Sequence, residues 1–137
     1  SEFEGVSRLF RGLAAKNIGI GLTTGFPRKI LDSILSQLNW KNLVDVSVAA
    51  DQVEHGRPAP DMIFRSITLF NTLYDKGVSV NEVVVVGDTD SDMKAGVAAE
   101  VQKIVGVTSG AMTEHILKEA GASLVLPYAT DLLSIIN

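Results

Sequence analysis

Hydrophobic residues follow two different spacings along this chain. Short runs of consecutive apolar residues, such as the four valines at residues 83–86, alternate with longer segments in which apolar residues recur every three or four positions. The first spacing is typical of strands that are buried on both faces, and the second of amphipathic helices. The pattern therefore predicts an α/β fold with a parallel sheet that is covered by helices on both sides.

The strands and helices of this fold can be predicted along the whole chain. Strands are predicted over residues 18–24, 44–50, 82–87, 101–107 and 123–126, and helices over residues 4–16, 27–38, 61–75, 92–99, 112–120 and 131–136. In parallel sheets of this kind, ligands bind beyond the carboxyl ends of the strands. Thr23 and Asp88 lie at two such ends, which makes them the first candidates for a functional site.

Composition and net charge limit the kinds of partner that this chain can bind. A chain of 137 residues can form one domain that buries a core without covalent cross-links. Its net charge of −4 provides no basic surface for nucleic acid or for an acidic membrane. The absence of cysteine excludes disulfides and thiolate zinc sites, and indicates a reducing, cytoplasmic compartment. No apolar stretch reaches the roughly 18 residues that a membrane-spanning helix needs.

The segment GDTDSDMKAG, residues 87–96, holds three carboxylates directly after a predicted strand. Asp88 ends the strand and Asp92 falls in the first turn of the next helix, so both side chains can enter one crevice near the helix N-terminus. Their repulsion would be relieved by Mg²⁺, which binds one or two carboxylates together with water and phosphate oxygens. The simpler alternative is that Asp90 or Ser91 caps the helix and that the other acids are solvated.

Two further segments are suited to binding phosphate. The hydroxyl of Thr23 and the backbone N–H of Thr24 follow a buried strand and could both reach one phosphate oxygen. Arg57 stands between a glycine and a proline in the segment GRPAPD, where a restricted backbone suits bidentate binding of phosphate. Each feature alone has an ordinary alternative: a threonine that starts a turn, and a surface arginine beside a helix-starting proline.

Taken together and in this order, these segments resemble motifs II, III and IV of the haloacid dehalogenase (HAD) superfamily. The matching text is GLTTGFPRKILDSIL, GRPAPDMIF and VVVVGDTDSDMKAG, and GVTSGAMTEHILKEAGASLVLPYATDLL resembles the usual tail of the family. Arginine at position 57, where many relatives have lysine, and the sequence TTGF favour the phosphonatase-like branch over ordinary sugar phosphatases. The resemblance covers essentially the whole chain, and it implies a three-layer Rossmann-like sheet.

The resemblance also implies roles for five residues. Thr23 and the N–H of Thr24 would bind the transferring phosphoryl group of a small phosphorylated or phosphonate substrate. Arg57 would neutralise the phosphate and the nucleophile. Asp88 would ligate Mg²⁺, with Asp92 as a further ligand or as a partner of the ligands. Thr23, Arg57 and Asp88 are the catalytic residues in this interpretation.

The chain departs from the family pattern at its start. Family members begin with a strand that ends in DxDGT, whose first aspartate attacks phosphorus and whose second acts as general acid and base. The acids before Thr23 are Glu2 and Glu4, and neither stands at the end of a strand. The cap domain between motifs I and II is missing as well. We therefore expect residues 1–137 to form a partial HAD core that is inactive alone.

Loss of that strand has a structural consequence, because in the family it lies between the strands ending at Thr23 and Asp88. Its absence would expose two inner strand edges, which are templates for pairing with another chain. Either the two strands close on each other, or the slot is filled by the missing N-terminal portion, by a second polypeptide or by a swapped copy.

Three functions follow from these observations. The first is the C-terminal portion of a Mg²⁺-dependent, phosphonatase-like hydrolase that works through an aspartyl nucleophile outside this chain. The second is a non-catalytic module from a truncated or split gene, which binds phosphate, metal or a complementing chain. The third is a receiver-like signalling domain with Asp88 as phosphoacceptor, in which the GRPAP segment would have no role.

Overall fold

The computed structural model of the chain describes residues 2–136, and it describes side chains from residue 4 onwards. Helices and strands alternate along this range. The helices are α1 (Glu2–Ala15), α2 (Arg28–Gln37), α3 (Asp61–Tyr74), α4 (Asp90–Ala99) and α5 (Glu114–Ala120), and the strands are β1 (Gly21–Thr24), β2 (Val46–Ala49), β3 (Val84–Gly87), β4 (Lys103–Val107) and β5 (Leu124–Leu126). The predicted α/β class is confirmed, although each strand is shorter than its predicted range.

The last predicted helix is not an α-helix. Residues Ala129–Ser134 form a 3₁₀ helix instead of the α-helix predicted over residues 131–136. The Asp131 carboxylate accepts a hydrogen bond from the Tyr128 N–H (3.0 Å), and the Ser134 hydroxyl donates to the Asp131 carbonyl (2.7 Å). These local bonds favour a tight turn, which starts two residues earlier than the apolar pattern indicated.

The strands form two separate parallel sheets. One contains β1 and β2, and the other contains β3, β4 and β5 in that order. Thr23 is in register with Val48 in the first sheet, and Gly87 is in register with Gly106 in the second. Within residues 2–136 no ladder joins β1 to β3, so the two predicted inner edges have not closed on each other.

A common hydrophobic core nevertheless holds the two sheets in one body. Buried residues of α1 pack in a single cluster with residues next to β1, in β2 and in β4: Leu9, Phe10, Leu13, Ile20, Ala49 and Val105. Phe10 also meets Trp40 edge to face, with ring centroids 5.1 Å apart. The sheets are therefore connected through α1 and the core, and not through backbone hydrogen bonds between β1 and β3.

Strand β3 is less covered than its sequence predicted. Its run of valines is typical of a strand that is buried on both faces, but Val84 and Val86 are each 37% exposed. In β4, which is paired with a strand on each side, Val105 is completely buried. Because β3 is paired on one side only, no strand on its other side contributes side chains that would cover these valines.

No helix in the described part of the chain is long and apolar enough to cross a membrane.

Candidate active site

Asp88 lies at the carboxyl end of β3 and is exposed. Gly110, in the loop after β4, lies close to it, since a Cβ at Gly110 would be 2.5 Å from the Asp88 Oδ2. None of the residues whose side chains are described forms a hydrogen bond or ion pair with the Asp88 carboxylate. A carboxylate at a strand end with both oxygens available is a suitable ligand for a hard cation.

Asp92 lies four residues further on but in a very different environment. It is 8% exposed, and its Oδ1 forms a short ion pair with Nη1 of Arg57. Its Oδ2 accepts hydrogen bonds from the backbone N–H (3.1 Å) and the hydroxyl (2.8 Å) of Thr89. Asp92 fits this position because Gly87 has no side chain: a Cβ there would lie 2.4 Å from the Cβ of Asp92. Both oxygens of Asp92 are thus occupied by protein groups.

The cap of α4 corrects one sequence interpretation. Thr89 is the N-cap residue, since its hydroxyl accepts a hydrogen bond from the Asp92 N–H (3.2 Å) while Asp92 bonds back to Thr89. This reciprocal arrangement is a capping box. The cap is therefore neither Asp90 nor Ser91, as the simpler alternative supposed. Asp90 instead forms a loose, exposed ion pair with Lys94 at 3.7 Å.

Arg57 connects the two sheets at the rim of the gap. Its side chain is 27% exposed and reaches Asp92 at the start of α4. On the other side, a methyl group placed on Gly25 would lie 3.3 Å from the Arg57 Nη2. The Arg57–Pro58 peptide bond is cis, and a bond from the Ala59 N–H to the Gly56 carbonyl (3.1 Å) closes the turn around it. Arg57 thus lies between the segment that follows β1 and the helix that follows β3.

The two threonines lie at the same rim. Thr23 is half-buried in β1, and Thr24 ends that strand. The Thr24 hydroxyl accepts a hydrogen bond from the Phe26 N–H at 3.2 Å, which shapes the turn into α2. The structure therefore brings Arg57 into contact with Asp92 and next to Gly25, the residue after Thr24. Asp88 lies at the end of β3 and forms no hydrogen bond or ion pair with Arg57.

Sequence reasoning missed three residues around this site. Thr89 stands three positions before Asp92, which is the spacing of a capping box, so the signal was present. Gly110 and Met112 lie in the loop after β4, and their proximity to Asp88 and Asp90 follows from the adjacent ends of two parallel strands. No local sequence pattern marks them.

The donor set fits a magnesium site with few protein ligands. Residues 2–136 hold no cluster of three or more His, Cys, Asp or Glu side chains placed to bind a metal ion. Mg²⁺ commonly binds one or two protein carboxylates and completes its shell with water and phosphate. Asp88 matches such a ligand, whereas Asp92 is already bonded to Arg57 and Thr89.

Comparisons with known proteins show which family the chain resembles. The model of the family described as haloacid dehalogenase-like hydrolase matches residues 1–106. The chain is 37% identical over 117 residues to a phosphonoacetaldehyde hydrolase of Parabacteroides distasonis, covering 84% of this chain and 42% of that protein. It is 31% identical over 127 residues to a phosphorylated carbohydrates phosphatase of Thermotoga maritima, covering 92% of this chain and 56% of that protein.

Solved structures show the same fold. The crystal structure of a hydrolase from Pseudomonas syringae superposes with a TM-score of 0.82 at 26% identity, covering 96% of this chain and 58% of that one. The chain belongs to the haloacid dehalogenase-like hydrolase family. Its similarity to phosphonoacetaldehyde hydrolases confirms the predicted resemblance to the phosphonatase-like branch. It spans about half the length of the curated relatives that it matches, or less.

Proposed function

We propose that this chain supplies the phosphate-binding and magnesium-binding part of a phosphatase- or phosphonatase-type hydrolase site. The observation that carries this proposal is the position of Arg57, which bonds to Asp92 after β3 and lies beside Gly25 after β1. A cation that spans the ends of two strands is placed to bind an anion lying between them. The names of the relatives support a small phosphonate or phosphorylated molecule as the substrate.

Arg57 has donors to spare for a phosphoryl group. A guanidinium carries five N–H donors in a rigid plane, and one of its terminal nitrogens is engaged by Asp92. Asp92 is held in turn by Thr89, so the bonded end of the guanidinium is anchored before a substrate binds. The Thr23 hydroxyl and the Thr24 N–H are proposed to bind the same phosphoryl group from the β1 side. Such fixed donors stabilise developing charge without reorganising during the reaction.

Asp88 is the proposed direct ligand of Mg²⁺. The bound cation would neutralise phosphate charge and fix the orientation of the substrate. Asp92 would become a further ligand only if Arg57 moved off its Oδ1, because its Oδ2 already accepts two hydrogen bonds from Thr89. In the arrangement described, Asp92 holds Arg57 and completes the capping box of α4, and no described residue bonds to either oxygen of Asp88.

The nucleophile is proposed to come from outside the described part of the chain. An aspartate at the carboxyl end of a strand between β1 and β3 would lie beside Arg57, Thr23 and Asp88 together. Such a strand would pair with both open edges and cover the exposed valines of β3. It is proposed to belong to an N-terminal portion of the protein, to a second polypeptide or to another copy of the chain.

Hydrolysis of an aryl phosphate in the presence of Mg²⁺ tests the proposal. The chain alone is expected to show no turnover, because fixed donors cannot replace the attacking carboxylate. Addition of a polypeptide that carries a DxDGT strand should produce turnover, and Arg57→Ala or Asp88→Asn should abolish it. Asp90→Asn is the matched control and should keep it. Turnover by the chain alone that Asp88→Asn removes and the added polypeptide does not change would refute the proposed source of the nucleophile.

The open edges also favour a second candidate function, a complementation module without catalysis. In that case the added polypeptide would bind, and the Arg57→Ala variant would bind it as well, but no combination would hydrolyse the aryl phosphate. Measuring binding by fluorescence anisotropy in the same samples separates the two functions.

A further inference from the structure

The loop after β4, residues 108–113, lies directly over the Asp88 carboxylate. A Cβ at Gly110 would be 2.5 Å from the Asp88 Oδ2, and 3.0 Å from both its Cβ and its Cγ. Among the described residues Gly121 is the glycine with a positive φ, so Gly110 does not need glycine for its backbone conformation. In the arrangement described, the Asp88 side chain occupies the space that a side chain at position 110 would need.

The loop has little freedom to move away. At its start the Thr108 N–H donates to the Leu126 carbonyl at 3.0 Å. In its middle the Met112 Sδ accepts a hydrogen bond from the Asp90 N–H at 3.1 Å, in the first turn of α4. At its end Thr113 caps α5 by accepting a hydrogen bond from the Ile116 N–H. A side chain at position 110 would therefore displace Asp88 more readily than it would displace the loop.

We propose that Gly110 is a positioning residue for Asp88, which sets the direction of the carboxylate at the rim of the site. The described residues donate no hydrogen bond to Asp88, so its orientation depends on packing against this loop. Asp92 differs from Asp88, because it packs against Gly87 and is also bonded to Arg57 and Thr89. The importance of Gly110 for cation binding rests on the proposed function, in which Asp88 is the ligand.

Binding of Mn²⁺, an oxygen-seeking substitute for Mg²⁺, gives the first test. Paramagnetic broadening of the amide NMR signals of residues 87–92 measures the affinity even when binding is weak. Gly110→Ala should weaken Mn²⁺ binding roughly 10- to 100-fold, the loss that is typical when a residue that orients a metal ligand is changed. Gly77→Ala is the matched control, since a Cβ at Gly77 has no neighbour within 4 Å. Equal Mn²⁺ affinity in the wild type and in Gly110→Ala would overturn the inference.

A double-mutant cycle gives a second readout that needs no metal. Gly110→Ala should lower the urea midpoint in the wild-type background, and should no longer lower it when Asp88→Gly has removed the opposing side chain. The entropic effect of replacing glycine in the unfolded chain is the same in both backgrounds and cancels in the cycle.

The two readouts separate the inference from the proposed function. If the wild type fails to bind Mn²⁺, the proposed metal role of Asp88 is wrong, and the cycle still decides whether Gly110 positions Asp88. If Gly110→Ala lowers the midpoint equally in both backgrounds, Gly110 does not act on Asp88 and the inference is wrong, whatever the metal affinity.

Discussion

The outer and inner edges of the two sheets are built differently. At the outer strand β2, the Arg28 guanidinium donates to the carbonyl (3.0 Å) and to the hydroxyl (2.8 Å) of Ser47. The other outer strand, β5, has only three residues and packs against the 3₁₀ helix Ala129–Ser134. The inner strands β1 and β3 have neither kind of edge protection. Their sequences, GLTT and VVVG, contain no charged residue and no proline.

This difference separates the edges that end a sheet from the edges that can pair with a further strand. Natural sheets protect free edges with charged side chains, with short strands or with a covering segment, because an unprotected edge binds other strands. The protection here is found at the two outer edges, where the sheet should end. The inner edges are unprotected and their strands carry no charged residue, which is the character of strands in the middle of a sheet. This contrast supports the proposal that a parallel strand binds in the gap between β1 and β3.

Hydrogen exchange should show the largest contrast. Amides of β4, which is paired on both sides, should exchange at least about a hundredfold more slowly than the unpaired amides of β1 and β3 in the chain alone. Adding a polypeptide that fills the gap should slow exchange in β1 and β3 and leave β2 unchanged. Uniform protection of β1, β3 and β4 in a monomeric sample would show that the inner edges had closed on each other.

Breaking the ion pair between Arg57 and Asp92 should have the next largest effect, because this pair links the two sheets at the rim of the gap. Asp92→Ala would leave the arginine partly buried without its partner and would break the cap of α4. We expect a loss of about 2–4 kcal/mol in the free energy of unfolding, measured with urea. Asp90→Ala, which removes an exposed ion pair, should cost about 0.5 kcal/mol or less.

The fold could be predicted from the sequence further than the site could. Apolar runs and helical spacing reported the strands and helices well, because burial determines both. They failed at residues 129–134, where local hydrogen bonds of Asp131 and Ser134 produce a 3₁₀ helix. They also failed to indicate the exposure of Val84 and Val86, since burial of a strand depends on neighbours that its own sequence does not encode.

For the site, the sequence indicated the residue types but not how their atoms are engaged. The sequence indicated Asp88 as the magnesium ligand, and Asp92 as a further ligand or as a partner of the ligands. The structure distinguishes them, because Asp92 is bonded on both oxygens, whereas none of the described residues bonds to the Asp88 carboxylate. These contacts come from Thr89, whose spacing from Asp92 is that of a capping box, and from Arg57, which is 35 residues away from Asp92 in sequence. No local pattern predicts the pairing with Arg57.

Removing the protection of an outer edge should have a moderate effect. Arg28→Ala loses the hydrogen bonds to Ser47 and the ion pair with Asp32 at 2.7 Å, and should destabilise the chain by about 1 kcal/mol. It should also increase self-association, because the edge of β2 becomes accessible. Arg65→Ala, at an exposed position on α3, is the control and should change neither quantity. Light scattering over a range of concentrations measures the association, and an unchanged association would show that Arg28 does not protect the edge.

A charge on the exposed face of β3 should have the smallest effect on the stability of the chain alone. It nevertheless tests whether the gap beside β3 is open. Val86 is already 37% exposed, so Val86→Lys should change the free energy of unfolding by no more than about 0.5 kcal/mol. Val97→Lys, at an exposed valine on α4, should behave in the same way. The two variants should differ when a gap-filling polypeptide is added. Only the lysine at position 86 would then be covered, so Val86→Lys should bind the polypeptide more weakly, and Val97→Lys should bind it as the wild type does. A severe loss of stability in Val86→Lys alone would mean that this face of β3 is already buried in solution, for instance against a second copy, and that the gap is not open.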